Sequence, residues 1–499
     1  MKKTVSTLTA LALTASVLAA CGSGDSDGGA SASASPSGAP AASEGPKPEL
    51  RQLGFARNFD VNADPVAKLL EEKTGYKVKY EALPLENTDD KLNLLMANKE
   101  PIDILKLSGS QYNRLAAQGA LEPLDDLLQK YGKTLLAVNE PETFENAKVD
   151  GKIYGIPEKH PRGFVGSSLA IRQELLDELG LQVPTTIDEF YNLLKAIKEK
   201  KGIIPFSGFE SMVHEISGAF GVVTSFEESN GKLIHRLEDP GMKEYLAFMN
   251  KLYKEGLLDP EWPVNKAATV QQKFTTGKVG VITYGWGSAP ATQAALEKNM
   301  PGSKITLIHS LKGKDGQRAN WKQGGGVSWY IAIPKSSKNK EEAMKYLDLK
   351  VQPELFKDMS IGQEGVTYKV ENGKMVPILP AFNELRGNSD WYMTSSDVKA
   401  YAEYWLLRLR KDPVMNKVFE EIQANEPNVV SDPTLLAPPL AVVGNNLQKL
   451  NKLESDYIIK VFAGAEDLSG YDQFVAQWKS QGGSDVLAAY NEWYAKSKK

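Results

Sequence analysis

The residue types that drive covalent catalysis are sparse in this chain, and their spacing matches no familiar catalytic motif. Past residue 48 the sequence contains no G-x-S-x-G, G-x-x-x-x-G-K-[ST] or H-E-x-x-H pattern. The run GVSWY at 326–330 fails the nucleophile elbow at its last position. We therefore predict no enzymatic activity and no cofactor, although 63 acidic residues leave a glycosidase, which needs only two carboxylates, open. The four histidines are too far apart in sequence to predict a metal cluster: His160, His214, His235 and His309.

The single cysteine, Cys21, directly follows an N-terminal leader. Two lysines lie near the start of this leader, at positions 2 and 3. The run of small, apolar residues that follows them is shorter than the ~20 residues that a membrane span needs. The sequence Leu-Ala-Ala-Cys at 18–21 resembles the lipobox of bacterial lipoproteins, in which the cysteine is lipidated and becomes the first mature residue. This resemblance implies a signal peptide over 1–20 and a palmitate-type anchor at Cys21. An ordinary secretory leader with a chance cysteine is the alternative.

Composition separates a tether from a folded remainder. Residues 21–48 are almost wholly Gly, Ser, Ala, Pro and Asp, which predicts a flexible tether without a core. The chain of 499 residues is 41% hydrophobic and exceeds what one core usually supports, so we expect two domains. Lys and Arg total 59 against 63 Asp and Glu, and this lack of basic excess argues against binding to nucleic acid.

Strands and helices alternate beyond the tether. A strand predicted over 50–55 is followed by Asp64 as an N-cap, by Pro65 in the first turn, and by a helix that ends near Gly75. Further βα units follow, and units of this kind in series predict a parallel sheet. The next predicted strands are 76–83 and 102–107, and the next predicted helices are 89–97 and 112–118.

The same alternation returns after Gly163, and the last third of the chain is rich in predicted helices. Thr186 and Glu189 have the spacing of a capping box, and Asn339 with Glu342 repeats it. The predicted strands are 168–171, 203–206, 279–284, 304–309 and 327–333. The predicted helices are 173–179, 186–201, 289–298, 339–349, 398–410, 413–424 and 484–496.

Short motifs in a fixed order carry a resemblance that covers essentially the whole mature chain. They are EKTGYKV at 72–78, GKIYGIP at 151–157, GKVGV at 277–281 with Gly285-Trp286, IAIP at 331–334, KNKEEA at 338–343, IGQEG at 361–365 and YNEWY at 490–494. Together they are similar to the family 1 extracellular solute-binding proteins of ABC importers. Many members carry a calcium-like acidic loop near residue 200, whereas this chain has the basic run KEKKG at 198–202, so we predict no metal there.

The resemblance implies an α/β fold with two lobes, like that of the type II periplasmic binding proteins. Parallel-type sheets would be flanked by helices, and the chain would cross a hinge several times. Lobe I would comprise 49–158 plus 281–330, and lobe II 159–280 plus 331–499. Crossings would fall near 157–163, 279–284 and 330–334.

Sugar binding would need aromatic platforms and planar polar side chains, because sugars present flat C–H faces and a rim of hydroxyls. Trp286, between two glycines, is the first candidate for a stacking platform, with core or inter-lobe packing as its alternative. Trp329 lies within an apolar strand, where core packing is at least as well supported. We assign Trp405, Trp478 and Trp493 to packing.

Polar candidates follow the predicted strands, where each loop could equally be a solvated connection or a helix cap. Together with the two tryptophans, the predicted ligand-binding residues are Asn58, Asp60, Ser108, Gln111, His160, Arg162, Ser207 and Glu210.

The resemblance implies a monomeric lipoprotein at the extracellular face of the cell membrane, held there only through Cys21. It would capture an oligosaccharide by hinge closure and deliver it to the permease subunits of an ABC transporter. A surface glycan hydrolase and a non-transport adhesin or chaperone are the alternatives. Arg57 or Arg162 could clamp a uronate, so neutral and acidic sugars both remain open.

Overall fold

A computed structural model describes residues 46–498, apart from 85, 146, 160–162, 317–318, 325, 396 and 439. The strands in chain order are β1 Leu50–Gly54, β2 Val78–Ala82, β3 Ile104–Leu107, β4 Lys148–Val149, β5 Lys152–Ile153, β6 Gly155–Lys159, β7 Gly163–Val165, β8 Ser167–Arg172, β9 Ile204–Ser207, β10 Phe226–Ser229, β11 Lys232–His235, β12 Val279–Gly285, β13 Ile305–Ile308, β14 Asn320–Gly324, β15 Val327–Ala332, β16 Tyr368–Glu371, β17 Lys374–Pro377 and β18 Val429–Val430.

Helices cover both large sheets and dominate the C-terminal part, as predicted. They are α1 Pro65–Thr74, α2 Thr88–Ala97, α3 Gly109–Ala117, α4 Asp125–Tyr131, α5 Lys133–Val138, α6 Pro141–Glu145, α7 Gln173–Leu179, α8 Ile187–Lys201, α9 His214–Ser217, α10 Pro240–Lys254, α11 Ala267–Thr275, α12 Ala289–Asn299, α13 Lys340–Lys350, α14 Pro353–Ile361, α15 Ala381–Arg386, α16 Val398–Leu409, α17 Pro413–Ile422, α18 Ala441–Phe462, α19 Tyr471–Trp478 and α20 Ser484–Ser497.

Local capping chemistry sets several of these boundaries. The Asp64 carboxylate accepts the backbone N–H of Val66, Pro65 begins α1, and Gly75 ends the helix with a positive φ of 69°. Thr186 and Glu189 form the predicted capping box of α8. The box predicted at Asn339 does not form, because its side-chain amide donates instead to Asp103.

The first sheet has the strand order β2-β1-β3-β15-β6. Strands β1, β2 and β3 are parallel, as predicted, but β15 runs antiparallel to both β3 and β6. Ile104 faces a core shared with Tyr346 and Leu347 of α13, whereas Leu105 faces the core on the other side with Tyr112 of α3. Both faces of this sheet are therefore buried.

The second sheet has the order β13-β8-β12-β9, and it is also mixed. Strand β12 pairs parallel with β9 and antiparallel with β8. The largest core cluster joins this sheet to α8, α10 and the C-terminal helices α18, α19 and α20. Each large sheet thus keeps the parallel pairs expected of βα units and adds antiparallel neighbours to them.

Two short strands carry the chain between the large sheets. Strand β7 lies between β6 of the first sheet and β8 of the second, and β14 lies between β13 of the second sheet and β15 of the first. The two crossing strands pair antiparallel with each other. Because β8 and β15 enter their sheets from this crossing side, they run against the strands that end there, which explains why both sheets are mixed.

The strand pairings differ from the expected division of the chain. The segment 281–330, expected in lobe I, contains β13 and most of β12. Both strands are hydrogen-bonded into the second sheet, so 279–284 is not a crossing. Strand β15 lies within the first sheet, so 330–334 is not a crossing either. Helices α13, α14 and α16, expected in lobe II, pack in clusters with residues of the first sheet and of α1. Cooperative strand pairing, which local sequence does not encode, decides these positions.

Candidate functional site

Two sheet edges adjoin the crossing strands. The chain leaves the first sheet for β7 at one edge. Strands β1, β3 and β6 end at this edge, and β15 begins there. In the second sheet, β9, β12 and β13 end, and β8 begins, at the edge where it arrives. We call these the first edge and the second edge. Sheets with parallel strands bind ligands beyond their carboxyl ends, so the loops at these edges form the candidate site.

Two partly exposed aromatic rings stack at the first edge. The ring centroids of Phe55, just past β1, and Trp329, in β15, lie 4.4 Å apart with planes 9° from parallel. The guanidinium carbon of Arg57 lies 4.4 Å from the Phe55 centroid. Trp329 is therefore not a fully buried core residue, and Phe55 covers one of its faces.

A charged network lies behind these rings. Asp390 pairs with Arg57 at 2.6 Å and with Arg408 at 3.2 Å. Burial would raise the pKa of Asp390, but Arg408 and Arg57 hold it below its ordinary value. Lys106 lies 2.7 Å from Glu158, and burial raises the pKa of Glu158 despite that pairing. The cations Arg57, Lys106 and Arg408 are thus each paired with a carboxylate.

One buried carboxylate, Glu215, and one partly buried carboxylate, Glu210, lie at the second edge. Ser167, the first residue of β8, donates its hydroxyl to Glu215 Oε1 at 2.6 Å. Burial raises the pKa of Glu215, against the effect of the Ser167 hydrogen bond, and nearby Glu210 raises it further. Burial likewise raises the pKa of Glu210, which follows β9. Neither carboxylate forms an ion pair with another described residue, so this edge can accept hydrogen bonds from a ligand's hydroxyl groups.

Trp286 follows β12 at the second edge and is partly buried. Its ring lies 5.7 Å from Phe164 of β7, 6.2 Å from Trp405 of α16 and 5.9 Å from Phe419 of α17, with planes 75° to 90° apart. Edge-to-face contacts of this kind stabilise aromatic clusters. Trp286 therefore packs where the two lobes and the crossing strands meet, and its use as a stacking platform stays a prediction.

The tryptophans assigned to packing behave as expected. Trp405 and Trp478 are 8% and 1% exposed. Trp493 packs, partly buried, against the core of the second lobe.

Asn58 and Asp60 lie at the first edge in the exposed loop after β1. One carboxylate oxygen of Asp60 accepts the backbone N–H groups of Asn62 and Ala63, at 2.9 and 3.2 Å, and so closes a local turn. The exposure of both side chains keeps them available to a ligand.

Three other polar candidates are already engaged within the protein. Ser108 and Gln111 form the capping box of α3, and the Gln111 amide also donates to Asp89 at 2.8 Å. Ser207 is fully buried and donates its hydroxyl to Asp259 at 2.6 Å. These contacts support the structural alternative for all three, and a ligand contact stays a prediction for each.

Three predicted functional residues, Cys21, His160 and Arg162, lie outside the described residues. Among the described residues, no group of three His, Cys, Asp or Glu side chains could hold a metal ion. None of the described helices is long and apolar enough to cross a membrane.

Sequence reasoning missed several residues at the edges. Phe55 and Phe209 each lie within two positions of a strand end, and this spacing could have identified them. Asp390 and Arg408 lie far from the edges in sequence, so only tertiary packing brings them to Arg57.

Comparison with known proteins agrees with this geometry. Residues 60–354 match the family model of the bacterial extracellular solute-binding proteins, and the chain belongs to that family. It is therefore a binding protein of the class that serves ABC transporters rather than an enzyme.

Individual relatives extend the similarity along most of the chain. Lipoprotein LipO of Bacillus subtilis (strain 168) is 28% identical over 471 residues, which cover 87% of this chain and 89% of LipO. The polygalacturonan/rhamnogalacturonan-binding protein YtcQ of the same organism is 26% identical over 462 residues, again 87% and 89% of the two chains. The crystal structure of the alginate-binding protein AlgQ2 without calcium ion matches with a TM-score of 0.71 at 22% identity, over 90% of this chain and 98% of that one. This structure has the same two-lobed fold.

Proposed function

We propose that this protein is a lipid-anchored, monomeric surface protein that captures an oligosaccharide between its lobes and delivers it to an ABC permease. One observation carries the proposal: two sheet edges, joined by paired crossing strands, each hold partly exposed aromatic rings beside polar side chains. Aromatic faces and hydrogen-bonding groups are what a sugar ring requires.

The arrangement of the chain supports capture by hinge closure. The first lobe would comprise 49–158 with 327–410, and the second 167–308 with 413–498. The paired strands β7 and β14 are short connections about which the lobes can rotate. Closure would bring the first and second edges onto the same ligand and exclude water from it.

The names of the relatives support a carbohydrate ligand and a surface location. YtcQ is named for binding polygalacturonan and rhamnogalacturonan, AlgQ2 for binding alginate, and LipO as a lipoprotein. We infer a cleaved leader over 1–20, lipidation at Cys21 and a tether over 21–48 for this chain as well.

Calorimetry of the purified protein against defined oligosaccharides tests the proposal. The panel contains maltotriose, cellotriose, 1-kestose, galactotriose and trigalacturonate, and we expect one-to-one binding of at least one class. Product analysis after long incubation should show no cleavage of the bound sugar. Hydrolysis would favour the glycosidase alternative, and absence of any binding would contradict oligosaccharide capture.

A further inference from the structure

The loop after β9 is held rigidly at the second edge. The Asn265 side-chain amide donates to the Gly208 carbonyl at 3.2 Å, and the Trp262 indole N–H donates to the Glu210 carbonyl at 3.1 Å. Gly208 packs so closely on Trp262 that a Cβ would lie 2.4 Å from the ring. Hydrogen bonds to the backbone on both sides of residue 209 therefore fix its position.

Phe209 is partly exposed on this fixed loop. The residue is 39% exposed, and its ring contacts no other aromatic ring of the described residues. Isolated exposed apolar residues are common on protein surfaces, so exposure alone would mean little. Here, however, the ring is presented by an anchored loop at the carboxyl end of a strand, in the sheet position where ligands bind.

The surroundings of Phe209 complete a site with mixed chemistry. Strands β9 and β12 are parallel neighbours, with Ser207 opposite Ile282, so Phe209 and Trp286 follow the ends of adjacent strands. Glu210 is the next residue, and Glu215 is joined to Ser167 at the start of β8. One edge thus combines two aromatic rings with two carboxylates that no described cation neutralises.

We propose that Phe209 is the stacking platform of a second-lobe subsite for an uncharged sugar unit, which rests on the proposed function above. The ring packs on the apolar C–H face of the sugar, while the partly exposed Glu210 accepts hydrogen bonds from its hydroxyl groups. A uronate at this position would face like charges and lose binding free energy. Specificity at this subsite is therefore for neutral units.

Substitution of Phe209 with a matched control tests the platform. Phe209→Ala should weaken binding by tenfold or more, measured with a neutral trisaccharide that the wild type binds, because an aromatic anchor is lost. Phe209→Trp should retain affinity within about threefold, since it keeps the flat ring. Leu181→Ala removes a side chain of similar exposure, 36%, outside the two edges and should leave affinity unchanged. Thermal melting of all three variants separates binding from folding.

The outcomes distinguish this inference from the proposed function. If the wild type binds a neutral sugar and Phe209→Ala binds it equally well, the platform assignment is overturned while oligosaccharide capture stands. If the wild type binds trigalacturonate more tightly than every neutral trisaccharide, the claim of an uncharged unit is overturned. If it binds none of the panel, the proposed function itself fails.

Discussion

Trp329 lies stacked on Phe55, with ring centroids 4.4 Å apart, although β15 and β1 are not neighbours in the sheet. The pair spans the end of β3, which lies between these strands, and the Arg57 guanidinium packs on the same Phe55 ring. One flat, partly exposed surface is thus assembled from two distant parts of the sequence. Trp286 and Phe209 provide aromatic rings at the opposite edge.

Replacement of Trp286 by alanine should weaken both ligand binding and folding. Loss of a platform should reduce affinity at least tenfold. Loss of the three edge-to-face contacts should also lower the free energy of unfolding by about 2 kcal/mol, less than a fully buried tryptophan costs. Calorimetry and denaturant unfolding measure the two effects. Trp493→Ala, a partly buried tryptophan of the second lobe, should affect stability alone, and unchanged affinity in Trp286→Ala would remove Trp286 from the site.

Replacement of Gly444 should shift the protein towards an open state. Gly444 lies in α18 of the second lobe, and a Cβ there would lie 3.0 Å from the Cβ of Asn113 in α3 of the first lobe. Glycine inside a helix costs about 1 kcal/mol of stability relative to alanine, so the helix itself does not favour Gly444. The absence of a side chain instead lets the two helices approach each other closely. Gly444→Leu should therefore force the helices apart without weakening α18.

Small-angle scattering from the ligand-free protein measures this effect as a larger radius of gyration. Gly470→Leu is the control, because among the described residues, its chain neighbours aside, no heavy atom lies within 4 Å of a Cβ at that position. Identical scattering curves for Gly444→Leu and the wild type would show that this contact does not set the lobe separation.

Stability should fall as pH rises towards 8 because of Glu227. Burial is the larger cause and a hydrogen bond to the Asp239 carboxylate the smaller, and together they raise the pKa of Glu227 to about 8. Unfolded glutamate has a pKa of about 4.3, so between these values the folded state binds an extra proton and loses stability as pH increases. Glu227→Gln should be less sensitive to pH from 5 to 8 and more stable than the wild type at pH 8.

Urea midpoints at pH 5 and pH 8 provide the measurement. Glu228→Gln changes the adjacent carboxylate, whose pKa is lowered by hydrogen bonds from Lys498 and Tyr494, and should keep the wild-type pH dependence. An equal change of the urea midpoint between pH 5 and pH 8 in Glu227→Gln and the wild type would show that Glu227 does not bind the extra proton.

Replacement of Cys21 by serine should release the protein from the cell surface into the medium. A diacyl anchor with an amide-linked chain provides the two hydrophobic signals that stable attachment requires. Fractionation of cells producing Cys21→Ser checks this, with Cys21→Ala as a second variant. Retention of both variants in the membrane fraction would show that lipidation at this position does not hold the protein.

The order of local elements was determined by sequence alone. The Asp64-Pro65 start of α1, the capping box of α8 and the parallel strands β1, β2 and β3 follow from turn chemistry and hydrophobic periodicity within a few residues. The short motifs along the chain likewise indicated the family, because their order can be read from the sequence without knowledge of how the chain packs.

Tertiary structure alone decided the sheet to which the later strands belong and which polar groups reach the candidate site. Strand β12 could not be placed in the second sheet from its own residues, since β8 and β9 supply its hydrogen-bond partners. Ser108 and Gln111 follow a strand end as a ligand contact would, yet they bond to each other as a cap, while Asp390 reaches Arg57 across a sequence separation of 333 residues. Hydrogen bonds within a turn depend on neighbours in sequence, whereas sheet order and long-range ion pairs depend on the packing of the whole chain.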